Sequence, residues 1–400
     1  MSIALGLPDP NRKCCRDRWK DWLILGWDIF CRVVDNYGDI GVCWRFARQL
    51  VNEHGVAVRL WVDELSAFAR LCPSIDVAAD RQDISGVTVC RWREPFPDVI
   101  PGDVVIEAFG CEIPAVFKSA MLEKSRAPVW INLEYLSAEP WVNGAHRLPS
   151  PLGALTKYFY FPGFVDVAGG LLRERDLIAR REHFCNDTLA QAEFWRSLHI
   201  DPPCAGELRV SLFCYDNAAL ESLLNQWAMG SRQITCVVPE GVATEAMQKF
   251  FSAEISRAPQ KFERGKLSVR TIAFLDQHAY DKLLWACDIN FVRGEDSFIR
   301  AQWAARPFVW QIYPQLDDVH RVKLDAFLEL YCAGLSAPIA DDIIAFWHSF
   351  NGDGMALTTW EDFLSARQGI AVHTSEWSAR LVRQTDLASS LVTFSRDLLK

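Results

Sequence analysis

Residues 27–51 read WDIFCRVVDNYGDIGVCWRFARQLV, and this stretch decides the predicted fold. An apolar run at 27–34 leads into a turn with glycine and carboxylate side chains, and residues 42–51 follow with helical spacing. A buried strand that passes through a tight turn into a helix is the building unit of an open α/β sheet. Because such sheets bind ligands at the carboxyl ends of their strands, the turn at 35–41 is a candidate functional site.

This turn carries two carboxylates four residues apart, Asp35 and Asp39. Gly38 and Gly41 permit a tight backbone and the close approach of a ligand to the main chain. The three-glycine pattern of a dinucleotide-binding loop is absent from the sequence. The position favours chemistry, but a structural role is an open alternative, in which Asp35 and Asn36 stabilise the turn and Asp39 caps the helix.

Strand-like and helical segments alternate along the rest of the chain in two successive halves. Short β-branched runs separated by helical spacing indicate mainly parallel sheets that are covered by helices on both faces. The chain has 400 residues, of which 50% are hydrophobic. A chain of this length is usually too long to fold around a single hydrophobic core, so we predict two Rossmann-like α/β domains. Besides 27–34, the predicted strands are 56–62, 87–92, 103–109, 129–133, 208–214, 234–238, 267–274, 289–292 and 308–312. The predicted division is an N-terminal extension at 1–26, a first domain at 27–180, a linker at 181–205, a second domain at 206–380 and a C-terminal helix at 381–400.

A second polar cluster, Arg293-Gly294-Glu295-Asp296-Ser297, also stands where a predicted strand ends and a helix begins. The backbone N–H groups of a helix start form a site for anions such as diphosphate. Glu295 and Asp296 would repel phosphate, so we expect these carboxylates to face hydroxyl groups or a cation. Phosphate would then contact the backbone, Ser297 and Arg293. The alternative is a helix whose acids merely match its dipole.

Aromatic and amide side chains follow other predicted strands of the second half. Phe274 and Gln277 can stack on a base and hydrogen-bond its edge, or they can be a core side chain and an ordinary helix-start residue. Tyr215, Tyr313 and Gln315 either line the same pocket or merely fill a domain surface.

Composition excludes several classes of protein. A formal charge of −9 and a pI near 5.5 argue against a general nucleic-acid binder, which needs many Lys and Arg side chains to displace counterions. No uninterrupted run of about 20 apolar residues is present, so we predict no membrane span. The 13 cysteines lie mostly in predicted strands and helices without zinc-site spacing, which favours reduced thiols in a cytoplasmic protein. The histidines lack metal-ligand spacing too, so we predict no metal site.

Four stretches of the chain together resemble the bacterial elongation factor P arginine rhamnosyltransferases. They are IFCRVVDNYGDIGVCWRFARQL at 29–50, WINLEYLSAE at 130–139, GGLLRERD at 169–176 and VRGEDSFIRAQWAARPFVWQIYPQ at 292–315. The resemblance covers about residues 27–395 in the order and spacing of the family, whereas residues 1–26 depart from its pattern.

The resemblance implies a GT-B architecture, in which two Rossmann-like domains face each other across a cleft and a C-terminal helix returns toward the first domain. Members of the family transfer rhamnose from dTDP-β-L-rhamnose to one arginine of elongation factor P, with inversion at the anomeric carbon and without a metal or other cofactor. By residue match, Asp39 is implied as the general base, and Asp35 and Glu295 are implied as the other essential acids. The implied nucleotide-sugar site consists of Phe274, Gln277 and Tyr215 around the thymine nucleoside, Arg293, Asp296, Ser297 and Tyr313 at the diphosphate, and Tyr37, Gly38 and Gly294 beside them.

The chemistry of arginine agrees with paired acids. Its guanidinium has a pKa of about 13, so full deprotonation at pH 7 would cost about 8 kcal/mol. Two carboxylates in one turn can orient the cation and accept its proton as the C–N bond forms. Two alternatives stay open from the sequence. One is a sugar-nucleotide transferase or epimerase of the same fold that acts on a small molecule or glycan, and the other is a non-catalytic module that binds a nucleotide or a protein partner.

Overall fold

A computed structural model describes residues 25–35, 37–314, 319–352 and 359–400. Three features named above fall outside these ranges, namely residues 1–24 of the predicted extension, Asn36 and Gln315.

The first half contains one mainly parallel sheet with helices packed on it. Its elements are β1 (Gly26–Cys31), α1 (Gly38–His54), β2 (Ala57–Val62), α2 (Leu65–Leu71), β3 (Arg81–Ile84), β4 (Val87–Arg91), β5 (Val104–Ala108), α3 (Ala115–Leu122), β6 (Val129–Leu133), α4 (Trp141–Ala145), β7 (Pro149–Leu152) and β8 (Leu155–Tyr160). The strand order is β3-β4-β2-β1-β5-β6-β8-β7, and the two edge strands, β3 and β7, run antiparallel to their neighbours. The central strands β1, β5 and β6 are buried along their whole length. They are parallel neighbours, so their carboxyl ends lie side by side at one rim of the sheet.

The second half repeats this architecture with a smaller sheet. Its elements are α5 (Leu177–Asn186), α6 (Thr188–Ser197), β9 (Leu208–Leu212), α7 (Ala219–Met229), β10 (Ile234–Pro239), α8 (Thr244–Phe251), β11 (Gln260–Arg264), β12 (Leu267–Ile272), α9 (Gln277–Ala286), β13 (Ile289–Arg293), α10 (Asp296–Ala304), β14 (Phe308–Gln311), α11 (Val319–Cys332), α12 (Ala337–Asn351), α13 (Trp360–Val382) and α14 (Leu387–Leu398). The strand order is β11-β12-β10-β9-β13-β14, with only β11 antiparallel among the described strands.

The α/β fold class and the GT-B architecture predicted from the sequence are confirmed. Two mainly parallel sheets face each other across a cleft that both halves line. Each predicted strand overlaps an observed strand, whereas β3, β7, β8 and β11 have no counterpart in the prediction. Three of these, β3, β7 and β11, are edge strands. The side chains of β3 and β11 are largely exposed, and β7 contains two prolines, so all three lack the apolar pattern of a buried strand. The turn at 35–41 is also shorter than expected, because α1 begins at Gly38 rather than at residue 42.

Residues 181–205 differ from the predicted linker, because α5 and α6 occupy most of this range. Phe184, Phe194 and Trp195 on these helices are buried in the core of the second half. Many charged side chains surround these three residues in the sequence, so the sequence does not show that the segment is buried on one side. The segment is therefore a structural part of the second half.

The last helix, α14, packs on the first half although it follows the second half in the chain. Leu387, Ala388, Leu391 and Val392 contribute to the core that surrounds β1 and α1. The preceding helix α13 buries Trp377 in the core of the second half. The C-terminal segment thus connects both halves. None of the helices in the described ranges has the length and apolar character needed to cross a bilayer.

Candidate active site

Two adjoining pockets open in the cleft, where the carboxyl ends of β1 and β13 meet. The first, here called the aromatic pocket, is lined among others by Tyr37, Phe213, Phe274, Tyr280, Arg293 and Ser297. The second, here called the acidic pocket, is lined among others by Asp39, Tyr135, Glu295, Trp310, Tyr313 and Lys323. Asp35, Gly38 and Gly294 line both pockets and therefore form the boundary between them.

Asp35 is held at this boundary by contacts from both halves. The Tyr215 hydroxyl donates to Asp35 Oδ2 over 3.0 Å. A Cβ atom on Gly38 or Gly294 would lie 2.7 or 2.8 Å from the same oxygen, which is too close for a side chain. Gly294 also has a φ of +58°, in the left-handed region that favours glycine. Burial raises the pKa of Asp35, and the hydrogen bond from Tyr215 opposes that rise. Because Gly38 and Gly294 have no side chain, the Asp35 carboxylate has room at the boundary between the pockets.

Asp39 is buried in the first turn of α1, and it does not cap this helix. Its Oδ2 accepts hydrogen bonds from the backbone N–H groups of Val34 (2.8 Å) and Asp35 (2.9 Å), which precede the helix. Its Oδ1 accepts from the Tyr135 hydroxyl over 3.2 Å. The capping alternative is therefore wrong, because this carboxylate fixes the turn before the helix and borders the acidic pocket.

Glu295 is the most strongly perturbed acid of the site. Its Oε2 accepts a hydrogen bond from the backbone N–H of Leu136 over 3.0 Å, while its Oε1 is buried without a partner among the described residues. Burial raises the pKa of Glu295 to about 8, and the nearby Asp39 and Asp296 add to the rise. A buried acceptor without a donor is costly, so a ligand that supplies a donor would be favoured at this oxygen.

Asp296 faces a cation, as the sequence predicts for an acid at this helix start. Its Oδ1 accepts from Arg45 Nε over 2.8 Å, and its Oδ2 accepts from the Gln277 amide over 3.3 Å. Arg45 also contacts Asp281 at 3.1 Å and Glu174 at 3.5 Å, and both of these acids bind Arg300 as well. Burial alone would raise the pKa of Glu174, but Arg300 and Arg45 outweigh it and hold this pKa below its usual range. The result is a buried ionic network that joins α1 to α9 and α10.

Arg293 and Ser297 shape the start of α10. The Arg293 guanidinium lies 4.6 Å from the ring centroids of both Phe213 and Tyr215, and it donates to the carbonyl of Cys214 over 3.0 Å. The Ser297 hydroxyl is hydrogen-bonded to the backbone of Arg293. The turn therefore brings a cation and the N-terminus of α10 to the wall of the aromatic pocket.

Phe274 and Gln277 lie at the contact between the halves. The Phe274 ring packs on Tyr37, with ring centroids 4.7 Å apart, and the Arg70 guanidinium lies 5.4 Å from it. Gln277 is buried: its amide donates to the carbonyl of Gly41 over 2.9 Å and accepts from Arg48 over 2.8 Å. In this structure the Gln277 amide thus bonds to protein groups, whereas Phe274 offers a ring to the pocket that it lines.

Tyr313 lies in a different pocket from the other residues that the family resemblance assigns to the diphosphate. It lines the acidic pocket, whereas Arg293, Asp296 and Ser297 line the aromatic pocket. Its ring meets that of Tyr215 edge-on, with centroids 5.4 Å apart. All cysteines in the described ranges are free thiols. No group of acids, histidines and cysteines in those ranges is arranged to hold a metal ion.

Comparison with known proteins decides the family. The sequence profile described as Elongation-Factor P (EF-P) rhamnosyltransferase EarP matches residues 27–396. The chain belongs to this EarP family. The protein-arginine rhamnosyltransferase of Pseudomonas aeruginosa is 47% identical to it over 374 residues, which are 93% of this chain and 99% of that relative. The protein of the same name from Pseudomonas putida is 45% identical over 374 residues, again 93% and 99% of the two chains.

A solved structure supports the same assignment. It is described as the structural basis for EarP-mediated arginine glycosylation of translation elongation factor EF-P, and it matches with a TM-score of 0.68 at 32% identity over 93% of this chain and 99% of that chain. The resemblance to this enzyme family that the sequence predicts is confirmed. The non-catalytic alternative is thereby set aside.

Within this EarP-family chain, the structure brings the predicted residues together in the cleft. Asp35 lies at the boundary, and Asp39 and Glu295 lie in the acidic pocket. Their catalytic roles stay predictions. Sequence reasoning missed Tyr135 and Arg45, although both stand inside the stretches quoted for the resemblance. Their partners are 96 and 251 residues away in the chain, so no local pattern could have identified these contacts.

Proposed function

We propose that this chain is an inverting, metal-independent glycosyltransferase that moves rhamnose from dTDP-β-L-rhamnose to an arginine side chain of elongation factor P. The observation that carries the proposal is the unpartnered carboxylate oxygen of Glu295 beside Asp39, in a pocket that adjoins an aromatic pocket at Asp35. The names of the relatives supply the sugar and the class of acceptor. In this proposal the acidic pocket binds the acceptor and the aromatic pocket binds the donor nucleotide.

The acidic pocket suits the acceptor cation. A guanidinium has five N–H donors in one plane, and Asp39 Oδ1 and Glu295 Oε1 are acceptors that such a group can engage. As the guanidinium nitrogen forms its bond to the anomeric carbon, Asp39 accepts the proton that this nitrogen loses. The arginine then need never exist as a free neutral base, whose formation would cost about 8 kcal/mol at pH 7.

The aromatic pocket suits the nucleotide of the donor. Phe274 offers a face on which a base can stack, and Arg293 and the start of α10 lie at the same wall. The bond from the anomeric carbon to the diphosphate oxygen breaks as the C–N bond forms, and these groups stabilise the departing charge. Attack from the acidic pocket and departure into the aromatic pocket occur on opposite sides of the boundary, which supports inversion.

A single reaction tests donor, acceptor and metal requirement together. The full chain is incubated with elongation factor P and dTDP-β-L-rhamnose in the presence of EDTA, and the acceptor is weighed by intact-mass spectrometry. The proposal predicts the addition of one deoxyhexose to arginine, which peptide fragmentation locates. Parallel reactions with free arginine or glycans test the alternative of a small acceptor. Transfer only to these compounds, or transfer abolished by EDTA, would contradict the proposal.

Removal of the Phe274 ring is expected to weaken donor binding. The Phe274→Ala variant should bind dTDP about tenfold more weakly, because one stacking contact with a base contributes about 1–3 kcal/mol. Titration calorimetry measures this change. Phe262→Ala is the matched control, because Phe262 is a half-buried phenylalanine on the edge strand β11. Equal dTDP affinities of the wild type and Phe274→Ala would remove Phe274 from the nucleotide site.

Acceptor binding is expected to displace a proton from Glu295. The pKa of this carboxyl is about 8 in the free protein, so it is mostly protonated at pH 7, whereas a bound guanidinium favours its ionised form. The KM for elongation factor P should therefore fall as the pH rises toward about 8 and level off above it. The isosteric variant Glu295→Gln should lose this dependence. A pH dependence that persists unchanged in Glu295→Gln would assign it to another group, such as Asp35, whose pKa is raised as well.

A further inference from the structure

The Asp39 carboxylate has one oxygen committed to the backbone and one that borders the acidic pocket. Oδ2 accepts two backbone hydrogen bonds, from Val34 and Asp35, so both of its lone pairs are used. Oδ1 accepts one hydrogen bond, from Tyr135, and keeps a second lone pair. If Asp39 is the base, Oδ1 is therefore the oxygen that takes the proton. Tyr135 is the group that sets its direction.

Tyr135 is itself held by a stack on Phe109. Their ring centroids are 4.4 Å apart and the planes differ by 15°. Phe109 has a φ of +56°, which is rare for a bulky residue and persists only where the surroundings impose it. The backbone N–H of Phe109 donates to the carbonyl of Leu133 over 2.7 Å, and the next N–H, of Gly110, donates to the Asn132 side chain over 3.0 Å. The end of β6 thus fixes the left-handed turn after β5 that sets the Phe109 ring against Tyr135.

The exposed part of Tyr135 lies along the acidic pocket. The residue is 39% exposed and lines this pocket, while Phe109 covers one face of its ring. Planar guanidinium groups bind aromatic faces through cation–π attraction. A guanidinium against this ring would lie close to Asp39 Oδ1, because the phenolic oxygen is 3.2 Å from that atom.

We infer that Tyr135 has two roles in the acceptor site, which rest on the proposed function: its hydroxyl positions Asp39 Oδ1, and its ring, backed by Phe109, is the wall against which the acceptor guanidinium lies. The hydroxyl acts through Asp39 and is a positioning group. The ring contacts the substrate and contributes to acceptor affinity. The two roles can be separated by substitution.

Tyr135→Phe removes only the hydroxyl and keeps the stacked ring. We expect kcat for elongation factor P to fall about tenfold with little change in its KM, because a carboxylate held only through its other oxygen spends less time in the productive orientation. Tyr135→Leu removes the ring as well, and we expect KM for elongation factor P to rise about three- to tenfold in addition. Phe109→Leu should raise KM by a smaller factor, since it removes only the support of the wall. The affinity for dTDP should not change in any of the three variants.

Tyr331→Phe is the matched control, because it also removes a hydrogen-bonded tyrosine hydroxyl, in this case one bonded to Thr374 in the second half. It should keep both constants. A wild-type kcat in Tyr135→Phe would contradict the positioning role of the hydroxyl. A wild-type KM in Tyr135→Leu would contradict the contact between the ring and the acceptor guanidinium.

The assignment can also be separated from the proposed function itself. Binding of N-methylguanidinium, followed by saturation-transfer NMR, probes the wall without any transfer step. We expect Tyr135→Leu to lose most of the transfer signal that the wild type gives. An unchanged signal would contradict the contact between the ring and the guanidinium, even if the chain glycosylates elongation factor P. Absence of glycosylation by the wild type would refute the proposed function alone.

Discussion

Asp39→Asn is expected to lower the rate of arginine rhamnosylation by about 10³-fold, within the range that a general base contributes. An amide cannot accept the proton that the guanidinium must lose, so the new C–N bond would have to form on a cation. The substitution is close to isosteric, and an asparagine can still accept from the turn through Oδ1 and donate to the Tyr135 oxygen through Nδ2. The fold and the aromatic pocket should therefore be preserved.

Three measurements on the same preparation decide this prediction. Intact-mass spectrometry follows the modification of elongation factor P, calorimetry gives the affinity for dTDP, and chemical denaturation gives the free energy of unfolding. We expect only the first to change greatly. Asp98→Asn, a change at an exposed acid of the first half, is the control and should act as the wild type. Modification at the wild-type rate by Asp39→Asn would show that another group takes the proton.

The position of the turn at 35–41 could be predicted from the sequence because its causes are local. An apolar strand, two glycines and a helical pattern within 25 residues place Asp35 and Asp39 at the rim of a parallel sheet. The second cluster could be predicted for the same reason, since it too joins a buried strand to a helix. The expectation that Asp296 turns toward a cation is confirmed, but the sequence could not indicate that this cation is Arg45.

The remaining features depend on how distant segments meet. The raised pKa of Glu295 comes first from burial, which arises only when the two halves close around it. The role of Gln277 shows the same limit: an amide at a helix start suggests a free recognition group, yet here it bonds to Gly41 and Arg48 of the opposite half. The family resemblance implies roles for these residues, and the contacts between the halves show how the residues are held.

Arg45→Met is expected to lower the free energy of unfolding by about 3–5 kcal/mol, the usual cost of removing one partner from a buried ion pair. Arg45 is 1% exposed and contacts three acids, of which Asp296 belongs to the start of α10. Arg300 alone would then face Asp281 and Glu174, and Asp296 would lose its charged partner. Because α10 carries one wall of the aromatic pocket, we also expect the affinity for dTDP to fall.

Chemical denaturation followed by tryptophan fluorescence measures the change in the free energy of unfolding. Lys249→Ala is the control, because it breaks an ion pair with Glu221 that is exposed on the second half, and it should leave that free energy unchanged. Arg45→Lys distinguishes charge from geometry. A single ammonium group keeps the positive charge but cannot reproduce the guanidinium contacts to Asp281, Asp296 and the Gln277 carbonyl, so we expect partial rescue. Wild-type stability of Arg45→Met would show that the ionic network does not stabilise the fold. The link between α1 and the aromatic pocket would then depend on the Gln277–Gly41 contact instead.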